Sequence, residues 1–123
     1  MTDDIKVGEQ LLSPEDLKKQ VTTKRGIFEI KIANPLDKKR IIRATAGAIG
    51  HAPLESIPNV DYVYANAVET LRVVIVEAPD WFAIDNCLDD ELIITLYNEY
   101  MKFETDFRRR LRGDKFRKDS ESD

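Results

Sequence analysis

The sequence holds one cysteine, one histidine and one tryptophan in 123 residues. The single thiol, Cys87, excludes an internal disulfide and any metal site built from several cysteines, and it fits a reducing compartment. Glycine is sparse, and none of the five (Gly8, Gly26, Gly47, Gly50, Gly113) sits in a phosphate-cradling loop. The closest approach, Gly47-Ala48-Ile49-Gly50, has neither the spacing nor a following lysine, so nucleotide binding has no support. Long apolar runs are missing too. The longest, residues 71–76, is interrupted by Arg72 and is far short of the roughly 20 residues that cross a bilayer. The start, Met1-Thr2-Asp3-Asp4, lacks the basic and then apolar character of a secretory signal. The expectation is a cytoplasmic protein without a membrane contact.

Hydrophobic residues make up 42% and charged residues 34%, which is enough apolar material for one core and unlike the composition of a disordered chain. A domain of this size buries roughly two thirds of the surface its unfolded chain exposes. The net charge of -4 conceals a run over residues 108–118 with seven bases and one acid, followed by three acids over residues 119–123. A single helical domain is expected over residues 1–112, with a loosely ordered segment at 1–12 and a disordered charged tail at 113–123.

The predicted fold class is mainly α, three to four helices with one short strand or hairpin. Ser13-Pro14-Glu15-Asp16 combines an N-cap, a first-position proline and two acids, and predicts a short helix over residues 14–20. From Gly26 the period changes: Phe28, Ile30 and Ile32 alternate with Ile27, Glu29 and Lys31, the mark of a strand. Its partner is either residues 20–24, through a turn at Lys24-Arg25-Gly26, or another chain. Asn34-Pro35 repeats the cap signature and opens a helix of about 14 residues ending near Gly50. Prolines 53 and 58 bracket a loop. A longer helix follows from Asn59 or Val60 to Glu77, with Val63, Ala67, Leu71 and Val74 at helical spacing. Residues 73–76 would also suit a strand after a helix ending at Arg72. Asp89-Asp90-Glu91 opens the last helix, whose inner stripe is Leu92, Ile93, Leu96, Tyr97, Tyr100, Phe103, Phe107 and Leu111.

Little in this pattern carries chemistry. His51 lies in a loop with no acid or nucleophile spaced to work with it. Cys87 precedes a helix start whose dipole would lower a thiol pKa while Asp89, Asp90 and Glu91 would raise it. The acids Asp85, Asp89, Asp90 and Glu91 lack the alternating ligands and central glycine of a calcium loop and read as capping. Neither a cofactor nor an active site is expected. Arg108, Arg109, Arg110 and Arg112 are the candidate polyanion contacts, but flanking acids and the acidic remainder disfavour nucleic acid. Trp81 and Phe82, in the connection before the last helix, are either a core lid or an interface anchor. Tyr97 and Tyr100 share that ambiguity.

The order of these features resembles the small tail assembly proteins of tailed bacteriophages, of the tail assembly chaperone type encoded beside the tape-measure protein. The likeness lies in the strand at 26–33, the helix after Asn34-Pro35, the helix ending in Val76-Glu77-Ala78-Pro79-Asp80-Trp81-Phe82, and the terminal helix from Asp90-Glu91-Leu92 to Phe107-Arg108. It spans about residues 26–112 and leaves out residues 1–25. The resemblance implies a non-enzymatic factor that binds tape-measure helices in the host cytoplasm, and such a factor would work by reversible apolar docking; Trp81, Phe82, Tyr97 and Tyr100, clustered around the last connection and helix, are the expected partner contacts. A homo-oligomer is compatible with it. Two alternatives stay open: a structural tail or baseplate subunit whose strand at 28–32 pairs between chains, and a nucleic-acid accessory protein acting through residues 108–118.

Overall fold

The computed structural model describes residues 5–7, 10–12 and 14–114. Among the described residues, the second and third helices pack on a small antiparallel sheet and the first packs on the second, so the chain is mainly α. Strand β1 (Ile5–Val7) pairs with β2 (Gln10–Leu12), Ile5 opposite Leu12. These two strands lie where the sequence predicts a loosely ordered segment. The predicted charged tail lies outside the described residues from 115 onward.

The predicted helix over residues 14–20 is corrected. Its cap signature produces only a 3-10 turn, Pro14–Leu17, and the chain then extends as β3 (Lys18–Thr23). Strand β4 (Gly26–Lys31) claims that backbone, pairing from Lys18 opposite Lys31 to Thr23 opposite Gly26. The ladder satisfies more backbone groups than one further helical turn would. Helix α1 (Pro35–Ala48) starts as expected, with a reciprocal capping box: the Asp37 N–H donates to Asn34 Oδ1 at 2.8 Å and the Asn34 N–H donates to Asp37 Oδ2 at 3.1 Å.

Helix α2 (Asn59–Val74) stops three residues before the predicted Glu77. Residues Ile75–Glu77 form β5, which pairs antiparallel with β4, Ile75 opposite Ile30. The β-branched run was compatible with either state, and the free edge of β4 decides it. Strand β4 is thus central, flanked by β3 along its whole length and by β5 at Glu29 and Ile30. Helix α3 (Asp90–Arg109) completes the domain, capped by Asp89 accepting from the Leu92 N–H, and a wider turn over Arg110–Asp114 follows.

The core lies between the sheet and helices α2 and α3. Phe28 and Ile30 on β4 meet Leu71 and Val74 of α2 and Ile93, Leu96 and Tyr100 of α3, all essentially sealed from solvent. Helix α1 is peripheral. Of its large apolar residues only Ile41 is buried, while Leu36 and Ile42 are 57% and 67% exposed. Among the described residues, no helix is long and apolar enough to cross a membrane.

Candidate functional site

The connection between β5 and α3 is held at three points. Arg72 of α2 grips Asp85 with two hydrogen bonds of 2.9 and 2.6 Å, and Arg25 in the β3–β4 turn donates to Asp89 at 2.8 Å. Each guanidinium holds its partner's carboxyl below the ordinary carboxylate range; for Asp89 the Leu92 backbone N–H adds to the effect. The third point is steric. Gly26 sits at φ +136°, and a Cβ there would come within 2.7 Å of Pro79 Cγ, so the hairpin turn and the connection touch directly.

This anchoring sorts the two adjacent aromatics. Phe82 turns inward, its ring edge-on to Phe28 with centroids 5.0 Å apart. It is the lid of the core. Trp81 stays 56% exposed, resting edge-on against Phe82 at 5.8 Å. Leu88 stands 97% exposed, the largest apolar exposure in this loop. Trp81 and Leu88 border a cleft of about 780 Å³ together with Lys24, Arg25, Asn86 and Cys87. A braced loop presents these two side chains to solvent side by side at one cleft.

No family model, curated protein or solved structure matches the chain. The chain's own surfaces therefore carry the functional reading.

Tyr100, predicted as a partner contact, is corrected to a core residue, 2% exposed. Its hydroxyl accepts from the Ala33 N–H at 3.2 Å and donates to Glu104 at 3.4 Å. Burial first, and the neighbouring Glu104 carboxylate in addition, push the phenol up to about 12. Phe82 is half-buried, with its ring packed edge-on against the core residue Phe28. Tyr97 is half-buried, and its hydroxyl accepts from the Asn66 amide at 3.2 Å. Of the four predicted aromatics, Trp81 alone is a free-standing surface group.

The arginines are at the surface, but not as a bare cationic strip. Arg108 donates to Glu104 at 3.1 Å and Arg109 to Asp106 at 3.3 Å. Arg110 and Arg112 follow in the terminal turn. The acidic group before α3 is divided among separate tasks: Asp85 on Arg72, Asp89 on the helix cap and Arg25, and Asp90 accepting from the Tyr64 hydroxyl at 3.1 Å. Among the described residues, no three His, Cys, Asp or Glu side chains converge as a metal site. His51 is exposed just after α1, at φ 59°. The Cys87 thiol is half-buried and donates to the Asp89 carbonyl at 3.6 Å.

Two surface features escape sequence reasoning. Leu88 has no periodic neighbour to mark it, and it lies between the two braced acids Asp85 and Asp89. The second is a groove of about 550 Å³ between the start of α1 and the end of α3, floored by Leu17, Ile32, Pro35, Ile42, Phe107 and Leu111. Lys38, Lys39 and Arg108 rim it, with Glu104 between Lys38 and Arg108. Its walls come from segments about 70 residues apart in the chain, beyond the reach of any local pattern.

Proposed function

We propose that the chain is a non-enzymatic protein-binding factor of phage tail assembly, holding a helical tail client, the tape-measure protein, in the host cytoplasm. The observation that supports this most is the exposed Trp81–Leu88 pair on a connection clamped by Arg25 and Arg72. A rigid aromatic presented at little entropic cost is the kind of group that dominates protein interfaces. A helix laid against it would dock through apolar residues at i, i+3 and i+4. Lys24 and Arg25 against Asp89 leave the cleft's edge net positive, which favours a client whose flanking residues are acidic. The small apolar contact suits a hold that tail-tube subunits later displace. A permanent structural subunit pairing through β4 is less well supported, since β4 has neighbours on both edges within its own chain.

Co-expression of the tagged chain with the tail proteins encoded beside it, and recovery at low and high salt, tests the proposal. Salt-resistant recovery of a long helical tail protein, lost on Trp81→Ala with Leu88→Ala, is the expected result. Recovery of no protein partner overturns it. Salt-labile nucleic acid lost on truncation after Phe107 would point to the arginines as the working surface.

A further inference from the structure

Charge is unevenly spread along this chain, and the two ends of helix α3 differ in the charged groups around them, although Lys24 and Arg25 of the hairpin turn reach the otherwise acidic start of that helix. Residues 44–101 contain ten acids and one base, Arg72. Residues 38–43 contain four bases and no acid, and residues 108–112 contain another four and no acid. Helix α3 runs between the two regions. Its first residue, Asp90, accepts from Tyr64 in the second turn of α2, and its Glu104 and Arg108 lie at the groove beside Lys38. Fourteen or more helical residues separate those points, about 20 Å.

Each end also carries apolar surface without a cover. The stripe of α2 that buries Ala67, Leu71 and Val74 completely continues toward the helix start as Val60, Val63 and Tyr64, which are 71%, 40% and 40% exposed. The stripe outruns the core by two turns. Its charged neighbours are acids, Asp61 on the same helix and Asp90, which accepts from Tyr64, both exposed, while Glu91 faces Lys24 and Arg25 instead. At the other end the apolar groove at the start of α1 is rimmed by Lys38, Lys39 and Arg108 against the single acid Glu104, which leaves the rim net positive, and Ile42 is the exposed part of its apolar lining.

We infer that the chain associates head to tail with further copies of itself, the acidic, apolar start of α2 in one copy docking into the basic-rimmed groove between α1 and α3 of the next. A convex helix face and a concave groove of opposite charge are complementary in both shape and sign. Because the two surfaces differ, the contact is heterologous, and repetition yields a closed ring or an open filament instead of a two-fold dimer. The inference does not depend on the Trp81–Leu88 client site.

Sedimentation velocity of the full chain over a wide concentration range, at low and at physiological salt, tests it. The expected result is concentration-dependent growth beyond a dimer that weakens with salt. Val63→Lys and Ile42→Glu, both at exposed positions, should each weaken association by about tenfold or more, with unchanged circular dichroism. Mixed together, the two variants should form a 1:1 heterodimer and nothing larger, since only one complementary pair of surfaces survives. A monomer at every concentration overturns the inference, as does a dimer that both variants leave intact. If removal of residues 115–123 converts a monomer into an associating form, the groove's occupant is the chain's own tail, and the inference is likewise wrong.

Discussion

Replacing Tyr100 by Phe separates a structural role from a binding role with the loss of one oxygen. The ring stays and still fills the space beside Ile30 and Leu96, so no cavity opens. What disappears is the acceptor for the Ala33 N–H, on a residue only 5% exposed, and a donor to Glu104. Glu104 keeps Lys38 and Arg108, and its loss is small. The stranded amide costs about 1–3 kcal/mol, and the lengths of both bonds put the expectation near the lower half, about 1.5 kcal/mol. With a urea slope of about 1.5 kcal/mol per molar, the midpoint should fall by about 1 M with the slope unchanged. Thermal melting should shift down by roughly 5 °C. Client recovery by the folded variant should equal that of the parent chain. An unchanged midpoint together with lost client recovery would refute the reasoning and return Tyr100 to the interface.

Trp81→Ala removes a side chain that is more than half exposed, so stability should fall by no more than about 1 kcal/mol while client recovery collapses; parallel urea titration and co-purification check the pair. Gly26→Ala meets a positive φ and Pro79 within 2.7 Å, and a loss of about 2 kcal/mol or more is expected, measured by the same titration. For Glu104, burial opposes ionisation, but the Lys38 ammonium and Arg108 guanidinium outweigh it and hold the carboxyl below its ordinary 4.5. Its folded-state value is depressed, so its stabilising contribution is full above pH 4.5 and is lost as the pH falls through the lowered value. Glu104→Gln should therefore flatten the acid limb of a stability-versus-pH curve, and an unaltered limb would refute the assignment.

Much of the fold was legible where a local rule acts alone. Asn34-Pro35 caps α1, and the alternation through Phe28 and Ile30 marks β4. The reading went wrong where a distant partner outvotes a local signal. Ser13-Pro14-Glu15-Asp16 reads as a helix start, yet β4 needs the backbone from Lys18 onward. The run at 73–76 fits helix or strand by composition, and only the second edge of β4 settles it. For the site, sequence singled out the Trp81-Phe82 pair but not which ring points inward. That choice depends on Phe28 waiting beneath the loop and on the Arg25 and Arg72 clamps, 64 and 13 residues away from their acids. The groove at α1 was hidden because Ile42 looks like a core residue of an amphipathic helix, and the core sits elsewhere.

The two edges of the small sheet bear on how this protein would behave when crowded. One edge is β5, only three residues long, and the other, β3, opens with Lys18 and Lys19. A neighbour adding itself strand on strand would find one template too short to hold it and would have to bring charged ammonium groups together along the other. Runaway stacking of the amyloid type is thereby discouraged. Crowded copies are left to meet through side-chain surfaces, where contacts form and dissolve without refolding either molecule.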